Sequence, residues 1–568
     1  MDIELNFQRW LSSSRVSPED KEILRNMDDF AKKDAFFKNA EFGTGGMRGI
    51  LGPGTNRINI QNLGRVTVGF GSYLAATAKN AKERGIAISH DNRFMSRSFT
   101  LEFASILNKM GFKVYIFDDL RPTPELSFAV RHFGCCGGIM VTASHNPADN
   151  NGYKVYDETG CQLVPADVEV MMKYLDALPD ELSFEIPEDE HPGQTIVCGP
   201  EIDDEYVAEV EKIQIRPELD KTGFKIVYSP QHGASYENAM RVFADCGYEV
   251  IPVAPQCVHD PAFGATESPN PEVAKAWNMS LEYAKANNAD LAVMTDPDGD
   301  RCGLAYKGED GEYHRLTGNQ SGAMLIDYLL AGLQEKGKLP KDGVIYDTIV
   351  TSNLGQIVAA HYGVKTESFL TGFKFIGDRI RFYEKQGYGP TFLFGYEESY
   401  GCLISPFVRD KDGIQAILLY SEMALYYKSK GMNLGQAWEQ LQERFGYHHA
   451  TLRDIYFTGM EGNAAMKAMM DGLRQSPLRE ISGTPVTEIR DYKEQICLKD
   501  GKKETMDRLP KSNVLKYFLE DGSTVCVRPS GTEPKVKFYI EVVGKKGDDM
   551  EGKAEGIYLA MKKIAGID

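Results

Sequence analysis

A chain of 568 residues is far too long for one hydrophobic core, and ~150 residues per domain predicts three to five domains. Its formal net charge of −18 argues against nucleic acid and acidic membranes as partners, and any phosphate site must therefore concentrate its cations locally. The longest apolar stretches, 323–333 and 414–427, are interrupted by Asp327 and Glu422 and fall short of a bilayer span. The N-terminus is acidic, with no signal-peptide pattern, and the ten cysteines are scattered without a CxxC pair; both predict a cytoplasmic protein with reduced thiols.

Taken in order, the chain opens with helices over 4–11 and 18–39, where apolar residues recur at helical spacing. Gly43-Thr44-Gly45-Gly46-Met47-Arg48-Gly49 reads as a loop that can turn its amides toward an anion, with Arg48 as a bidentate fork. No strand is evident before it.

A pattern then begins that recurs three times. Strand 86–89, Asp91-Asn92-Arg93, a helix to about Met110, strand 113–117, a Pro-bounded helix and strand 139–142 lead into Thr142-Ala143-Ser144-His145-Asn146-Pro147. The second copy has strands 225–229, 249–253 and 291–294, with helices over 236–246 and 280–287, and ends in Asp296-Pro297-Asp298-Gly299-Asp300-Arg301. The third has strand 344–346, a helix over 352–361, strand 365–367 and Gly372-Phe373-Lys374-Phe375, and its strand 392–394 ends in Gly395-Tyr396-Glu397-Glu398-Ser399. Alternating strands and helices of this kind make parallel, doubly wound layers. In each copy an apolar strand delivers a polar loop at its carboxyl end, where open α/β sheets place reactive groups.

The last part differs. Strands 514–520 and 524–527 flank Asp521-Gly522, a hairpin signal, and are followed by Arg528-Pro529-Ser530-Gly531-Thr532-Glu533-Pro534-Lys535, a strand over 536–543 and a helix over 552–564. The fold expected is three similar α/β domains with mixed, mainly parallel sheets, over 1–205, 206–315 and 316–447. A smaller α+β domain over 448–568 completes a central cleft.

The loops carry chemistry. Asp296, Asp298 and Asp300 alternate within five residues, and a bend at Gly299 can turn three hard oxygen ligands toward one point, which suits Mg²⁺. An EF-hand does not fit, because the glycine is at position 4 and Lys307 stands where the closing Glu would be. Arg528, Ser530, Gly531, Thr532 and Lys535 suit a phosphate. Glu397 and Ser399 offer acceptors for sugar hydroxyls, with Lys411 as a nearby cation.

These four motifs, in this order and with this spacing, resemble the α-D-phosphohexomutases over essentially the whole chain. The runs Asp149-Asn150-Asn151-Gly152-Tyr153-Lys154-Val155-Tyr156, Thr371-Gly372-Phe373-Lys374-Phe375-Ile376-Gly377 and Glu397-Glu398-Ser399-Tyr400-Gly401 are most similar to one branch, which contains bacterial phosphoglucomutases and animal phosphopentomutase-like enzymes. The resemblance implies that Ser144 is carried as phosphoserine, and that Asp296, Asp298 and Asp300 hold one Mg²⁺ per chain together with a phosphoserine oxygen. It also implies that Glu397 and Ser399 bind sugar hydroxyls, and that the loop from Arg528 holds the non-transferring phosphate. Arg48, Arg301 and Lys154 match family positions near the reacting group, and Gly372, Phe373, Lys374 and Lys411 belong to the substrate-binding set. The implied activity interconverts α-D-glucose 1-phosphate and glucose 6-phosphate through bound glucose 1,6-bisphosphate, in a monomer or homodimer. Lys154 is favoured over His145 as general acid/base, because a lysine among cations and a metal can have a lowered pKa.

Two departures bear on substrate. Phe373 stands where hexose-specific relatives often carry Trp, which leaves pentose phosphates open, and Tyr400-Gly401-Cys402 lacks the histidine of bifunctional mannose/glucose enzymes. Rival readings are a phosphatase with Asp296 as nucleophile and Asp298 as acid, and an inactive phosphosugar-binding protein.

Overall fold

The computed structural model describes residues 2–43, 46–457, 462–506, 508–530 and 535–566. Short, wholly buried runs rich in Val, Ile and Ala form the central strands Ile86–His90, Gly137–Val141 and Leu291–Thr295. Strands covered on both faces lose the in-and-out alternation of a half-exposed sheet, as these have.

Three sheets repeat one order. In the first, Ile86–His90 lies between Val114–Phe117 and Gly137–Val141, both parallel to it, and Asn150–Asp157 runs antiparallel beside Gly137–Val141. The second places Lys225–Ser229 between Glu249–Pro252 and Leu291–Thr295, with Cys302–Lys307 antiparallel outside. The third places Gly343–Thr348 between Lys365–Phe369 and Thr391–Tyr396, with Cys402–Leu403 antiparallel outside. The threefold plan expected from the sequence is thus present as mixed sheets of common topology. The fourth sheet is antiparallel throughout, and its longest pairing joins Tyr447–Tyr456 to Lys535–Gly544.

Two expectations are corrected. The stretch 18–39 is two helices, Pro18–Arg25 and Asp29–Phe36, because Asp28 caps the second by accepting from the Ala31 amide. Residues Gly46–Ile50 are a strand, paired antiparallel with Asn150–Asp157 so that Arg48 faces Gly152, and not a loop. Thr44 and Gly45 lie outside the described residues.

The domains share elements at their junctions. Helix Pro200–Glu211 spans the limit at 205, and the limit at 447 meets the start of Tyr447–Tyr456. One apolar core runs through the second and third sheets and reaches the back of the first, where Leu126, Tyr206, Leu325 and Ile417 are buried together. A small seam of Ile349, Val350 and Leu370 with Val514, Cys526 and Tyr539 fastens the fourth domain to the third. Among the described residues no helix is long and apolar enough to cross a membrane, and all ten cysteines are free thiols.

Candidate active site

The strand Gly137–Val141 ends at Thr142, and two residues later Ser144 adopts φ of 53°. A left-handed conformation costs a non-glycine residue roughly 1–2 kcal/mol and persists only where its surroundings enforce it. Here the Ser144 amide donates to Thr142 Oγ1 (2.8 Å), and Ser144 Oγ donates across the domain boundary to Asp296 Oδ2 (2.7 Å). His145 Nδ1 lies 3.1 Å from the same hydroxyl. Burial, with the Arg301 and Arg48 charges, holds the His145 imidazole well below its ordinary pKa and therefore neutral.

Asp296, Asp298 and Asp300 are buried, with one oxygen from each lying within 4.8 Å of the others. Burial and the repulsion of Asp298 and Asp300 push the Asp296 carboxyl well above its usual range. For Asp298 burial acts in the same direction, but Lys154 outweighs it and keeps this carboxylate ionised. Lys154 Nζ donates to Asp298 Oδ2 (2.7 Å) and sits 3.5 Å from Asp300, while Lys411 Nζ lies 3.1 Å from Asp300. Burial would loosen the Lys154 proton, but the two carboxylates more than offset it and raise the pKa. Two carboxylates are thus the charged groups in direct contact with Lys154.

The acidic loop is held from both sides. The Thr123 amide, at the start of helix Thr123–His132, donates to Asp298 O (2.8 Å), and Thr123 Oγ1 donates to Asp298 Oδ2 (3.2 Å). From the third domain the Gly413 amide, opening helix Gly413–Ser429, donates to Gly299 O (3.0 Å). Two helix N-termini thus face a cluster of negative charge, the favourable sign for both. Asp298 Oδ1 and Asp300 Oδ1 are buried without a hydrogen-bond partner among the described residues. Unsatisfied carboxylate oxygens converging in a dry site are the donor set of a hard divalent cation, so the residues fit Mg²⁺.

Beginning at His145 and Arg301, which adjoin this cluster, a cleft of about 490 Å³ runs to the fourth domain. His145, Arg301 and Glu272 line its near end, Glu398, Ser399 and Tyr400 its middle, and Lys516, Arg528, Lys535 and Lys537 its far end. Such a volume suits a small polar ligand, and the cations gathered at the far end suit an anion in a chain that is acidic overall. Ser530 donates its amide to Lys535 O (2.8 Å), whereas Gly531 and Thr532 lie outside the described residues.

Not every expected residue reaches the cleft wall. Phe373, Lys374 and Glu397 are buried behind it, with Glu397 accepting from the Gly372 amide (2.9 Å). Burial and the Arg528 charge lower the Lys374 ammonium to about 8, although Cys161 and Glu397 oppose this. The Lys411 ammonium lies 5.7 Å from the centre of the Phe373 ring, so that aromatic acts from behind through its neighbour. Arg48 stands in the field of Asp298, Asp300 and Arg301.

Sequence reasoning missed Glu272, whose Oε1 accepts from Arg301 Nη1 (2.7 Å) and so orients the guanidinium. The Pro-Asn-Pro-Glu run 269–272 was the available signal, a rigid turn carrying a carboxylate. Lys516 and Lys537 were missed because a lysine in a strand usually marks an exposed edge.

Comparison with known proteins matches four family models in chain order. They are the phosphoglucomutase/phosphomannomutase α/β/α domains I (39–178), II (204–310) and III (317–445), and the C-terminal domain (477–551). A phosphoglucomutase of Staphylococcus aureus (strain bovine RF122 / ET3-1) is 34% identical over 536 residues, 94% of this chain and 95% of its own. One from Staphylococcus epidermidis (strain ATCC 12228 / FDA PCI 1200) is 34% identical over 92% of this chain and 94% of its own. In fold, the chain resembles the open form of pp63/parafusin, a phosphoglucomutase from Paramecium. The TM-score is 0.68 at 18% identity, covering 93% of this chain and 95% of that one. A phosphoglucomutase/phosphomannomutase family protein from Burkholderia thailandensis gives 0.65 at 18% identity, covering 92% and 97%. With all four of its domains matched in order, and the fold to carry them, this chain belongs to the phosphoglucomutase/phosphomannomutase family of isomerases.

Proposed function

We propose that the protein is a phosphoglucomutase that interconverts α-D-glucose 1-phosphate and glucose 6-phosphate and carries the migrating phosphoryl group on Ser144. The observation that carries this reading is the position of Ser144 Oγ. It lies 2.7 Å from Asp296 of the three-carboxylate cluster and 3.1 Å from His145, which lines a cleft with cations at its opposite end.

Phosphoryl transfer asks for charge neutralisation and in-line positioning. Asp296, Asp298 and Asp300 would hold Mg²⁺, which when bound neutralises charge on the transferring phosphoryl oxygens. Arg301, braced by Glu272, and Arg48 add positive charge on the protein's own account. In the first transfer the bond between Ser144 Oγ and phosphorus breaks while the free sugar hydroxyl bonds to phosphorus, and the hydroxyl proton passes by way of a nearby base to the departing Ser144 Oγ. Lys154, which reaches Asp298 at 2.7 Å, is the base we favour, and His145, 3.1 Å from Ser144 Oγ, is its alternative. The glucose 1,6-bisphosphate so formed turns end for end, and its other phosphate returns to Ser144. The far end of the cleft, with Arg528 and Lys535, would hold whichever phosphate is not transferring.

The test uses the full-length protein with glucose 1,6-bisphosphate. Wild-type protein should gain one phosphoryl group, stable to hydroxylamine and mapped to Ser144. Ser144→Ala should fold normally and lose roughly a thousandfold or more in turnover. A hydroxylamine-labile phosphate on Asp296 would establish the phosphatase chemistry instead. Among glucose, mannose, ribose and deoxyribose 1-phosphates the glucose ester should react fastest, and a dominant ribose rate would overturn the substrate assignment.

A further inference from the structure

Asp91-Asn92-Arg93 follows the strand Ile86–His90, which pairs in parallel with Gly137–Val141, so the two strand ends lie side by side. Arg93 is 3% exposed, and its guanidinium faces the backbone of the Ser144 turn. Its Nη2 donates to the carbonyls of Ser144 (2.7 Å) and Asn146 (2.6 Å), and its Nη1 to those of Pro147 (2.7 Å) and Asn150 (3.0 Å). Asp91 Oδ2 lies 3.1 Å from Arg93 Nε and accepts from Thr142 Oγ1 (2.7 Å), the same hydroxyl that receives the Ser144 amide. Asp91 Oδ1 accepts from the Arg93 amide (3.0 Å) and from Ser96 Oγ (2.8 Å). From the second domain the Phe263 ring covers the guanidinium at 4.9 Å.

Both ends of the Ser144 residue are therefore tied to one buried ion pair. Its amide reaches Asp91 through Thr142, and its carbonyl reaches Arg93. We propose that Arg93, backed by Asp91 and Thr142, is the positioning residue that holds Ser144 in its left-handed conformation with Oγ turned to Asp296. Only a guanidinium has the planar set of donors this needs, since four carbonyls on one turn must be met at once and an ammonium offers three donors from a single point. Asp91 fixes the fork's orientation and, with the Phe263 ring, excludes water from it. The proposal rests on the reading that Ser144 carries the phosphoryl group.

The test compares wild type with Arg93→Lys, Thr142→Val and Thr142→Ser. It measures kcat and KM for glucose 1-phosphate at saturating Mg²⁺ and bisphosphate, melting temperature, and phosphate on Ser144 by intact mass. Misplacing a reacting group costs rate more than ground-state binding, so Arg93→Lys should lower kcat roughly thirtyfold or more with KM within about threefold. Thr142→Val cuts only the link from Asp91 to the Ser144 amide and should lower kcat roughly tenfold, while Thr142→Ser should restore it to within about twofold. A merely structural role would lower the melting temperature and leave kcat per folded molecule intact, and that result overturns the proposal. Should Arg93→Lys fail to fold, the two Thr142 variants decide alone. A wild-type protein without phosphate on Ser144 overturns the reading beneath the proposal, and the proposal with it. Phosphate present together with variants of normal kcat overturns the proposal only.

Discussion

At the scale of single residues, the cleft holds a carboxyl that titrates in the working pH range. Burial and the Glu397 charge push Glu398 up to about 7, against the pull of Arg528. Its ordinary value is 4.5, so the native state binds this proton more tightly than the unfolded chain. The stabilisation this supplies is fully present below 4.5 and is lost as pH rises through about 7. Binding follows the same sign, because an ionised Glu398 in the cleft repels a phosphate dianion and a protonated one does not. Comparing Glu398→Gln with wild type at each pH cancels the ligand's own titration. The ratio of wild-type to variant KM for glucose 1-phosphate should lie near one below pH 6 and climb roughly threefold to tenfold by pH 8. A ratio that stays flat across that range would remove Glu398 from the electrostatics of binding.

At the scale of elements, the acidic loop depends on helices from other domains. A Cβ on Gly413 would stand 2.6 Å from Gly299 O and 2.8 Å from Arg301 O, both backbone atoms with little room to yield. We predict that Gly413→Ala costs about 1–3 kcal/mol in stability and displaces the loop. The melting temperature should fall, and the Mg²⁺ concentration for half-maximal activity should rise severalfold. Unchanged Mg²⁺ dependence in a destabilised protein would show that the bracket serves folding alone. This bracket also marks the boundary of what could be read from sequence. Ser144, the alternating aspartates and Glu397 lie in contiguous motifs at the ends of apolar strands, so local pattern was enough to find them. Arg93, Thr123 and Gly413 reach those motifs only through sheet pairing and domain contact, which no local pattern encodes, and the turn that carries Glu272 does not show that its partner is Arg301. The strand Tyr447–Tyr456 was missed for a related reason. Its burial does not alternate cleanly, and its register is set by Lys535–Gly544, some ninety residues on.

At the scale of the whole molecule, the proposed end-for-end turn of a bisphosphate calls for a wider cleft, and the seam under the fourth domain borders that cleft through Ile349, Val350, Cys526 and Tyr539. Beside the apolar contacts, a polar knot at Glu541 ties that seam. Glu541 is buried on the strand Lys535–Gly544 and accepts from Ser352 Oγ (2.5 Å), the Asn353 amide (3.0 Å) and Asn353 Nδ2 (2.8 Å) of the third domain. His448 Nδ1 lies 2.9 Å from it on the adjoining strand. Burial alone would raise this carboxyl, but the bonds from His448 and Ser352 more than offset it and keep it ionised. Lys516 adds a second tie, donating to Ile349 O (2.9 Å). Glu541→Gln keeps the shape but replaces an all-acceptor group with one that must direct its own N–H bonds at donors. The cost is about 1.5–3 kcal/mol, which shifts opening roughly tenfold to a hundredfold. The variant should release bisphosphate before the second transfer, so the glucose 1,6-bisphosphate concentration for half-maximal activity should rise about tenfold. Its radius of gyration by solution scattering should also increase. Ser352→Ala, which removes one donor, should move both quantities the same way by less. If Glu541→Gln retains the wild-type activator requirement and the wild-type radius, the seam is a static joint and the intermediate must reorient by another route.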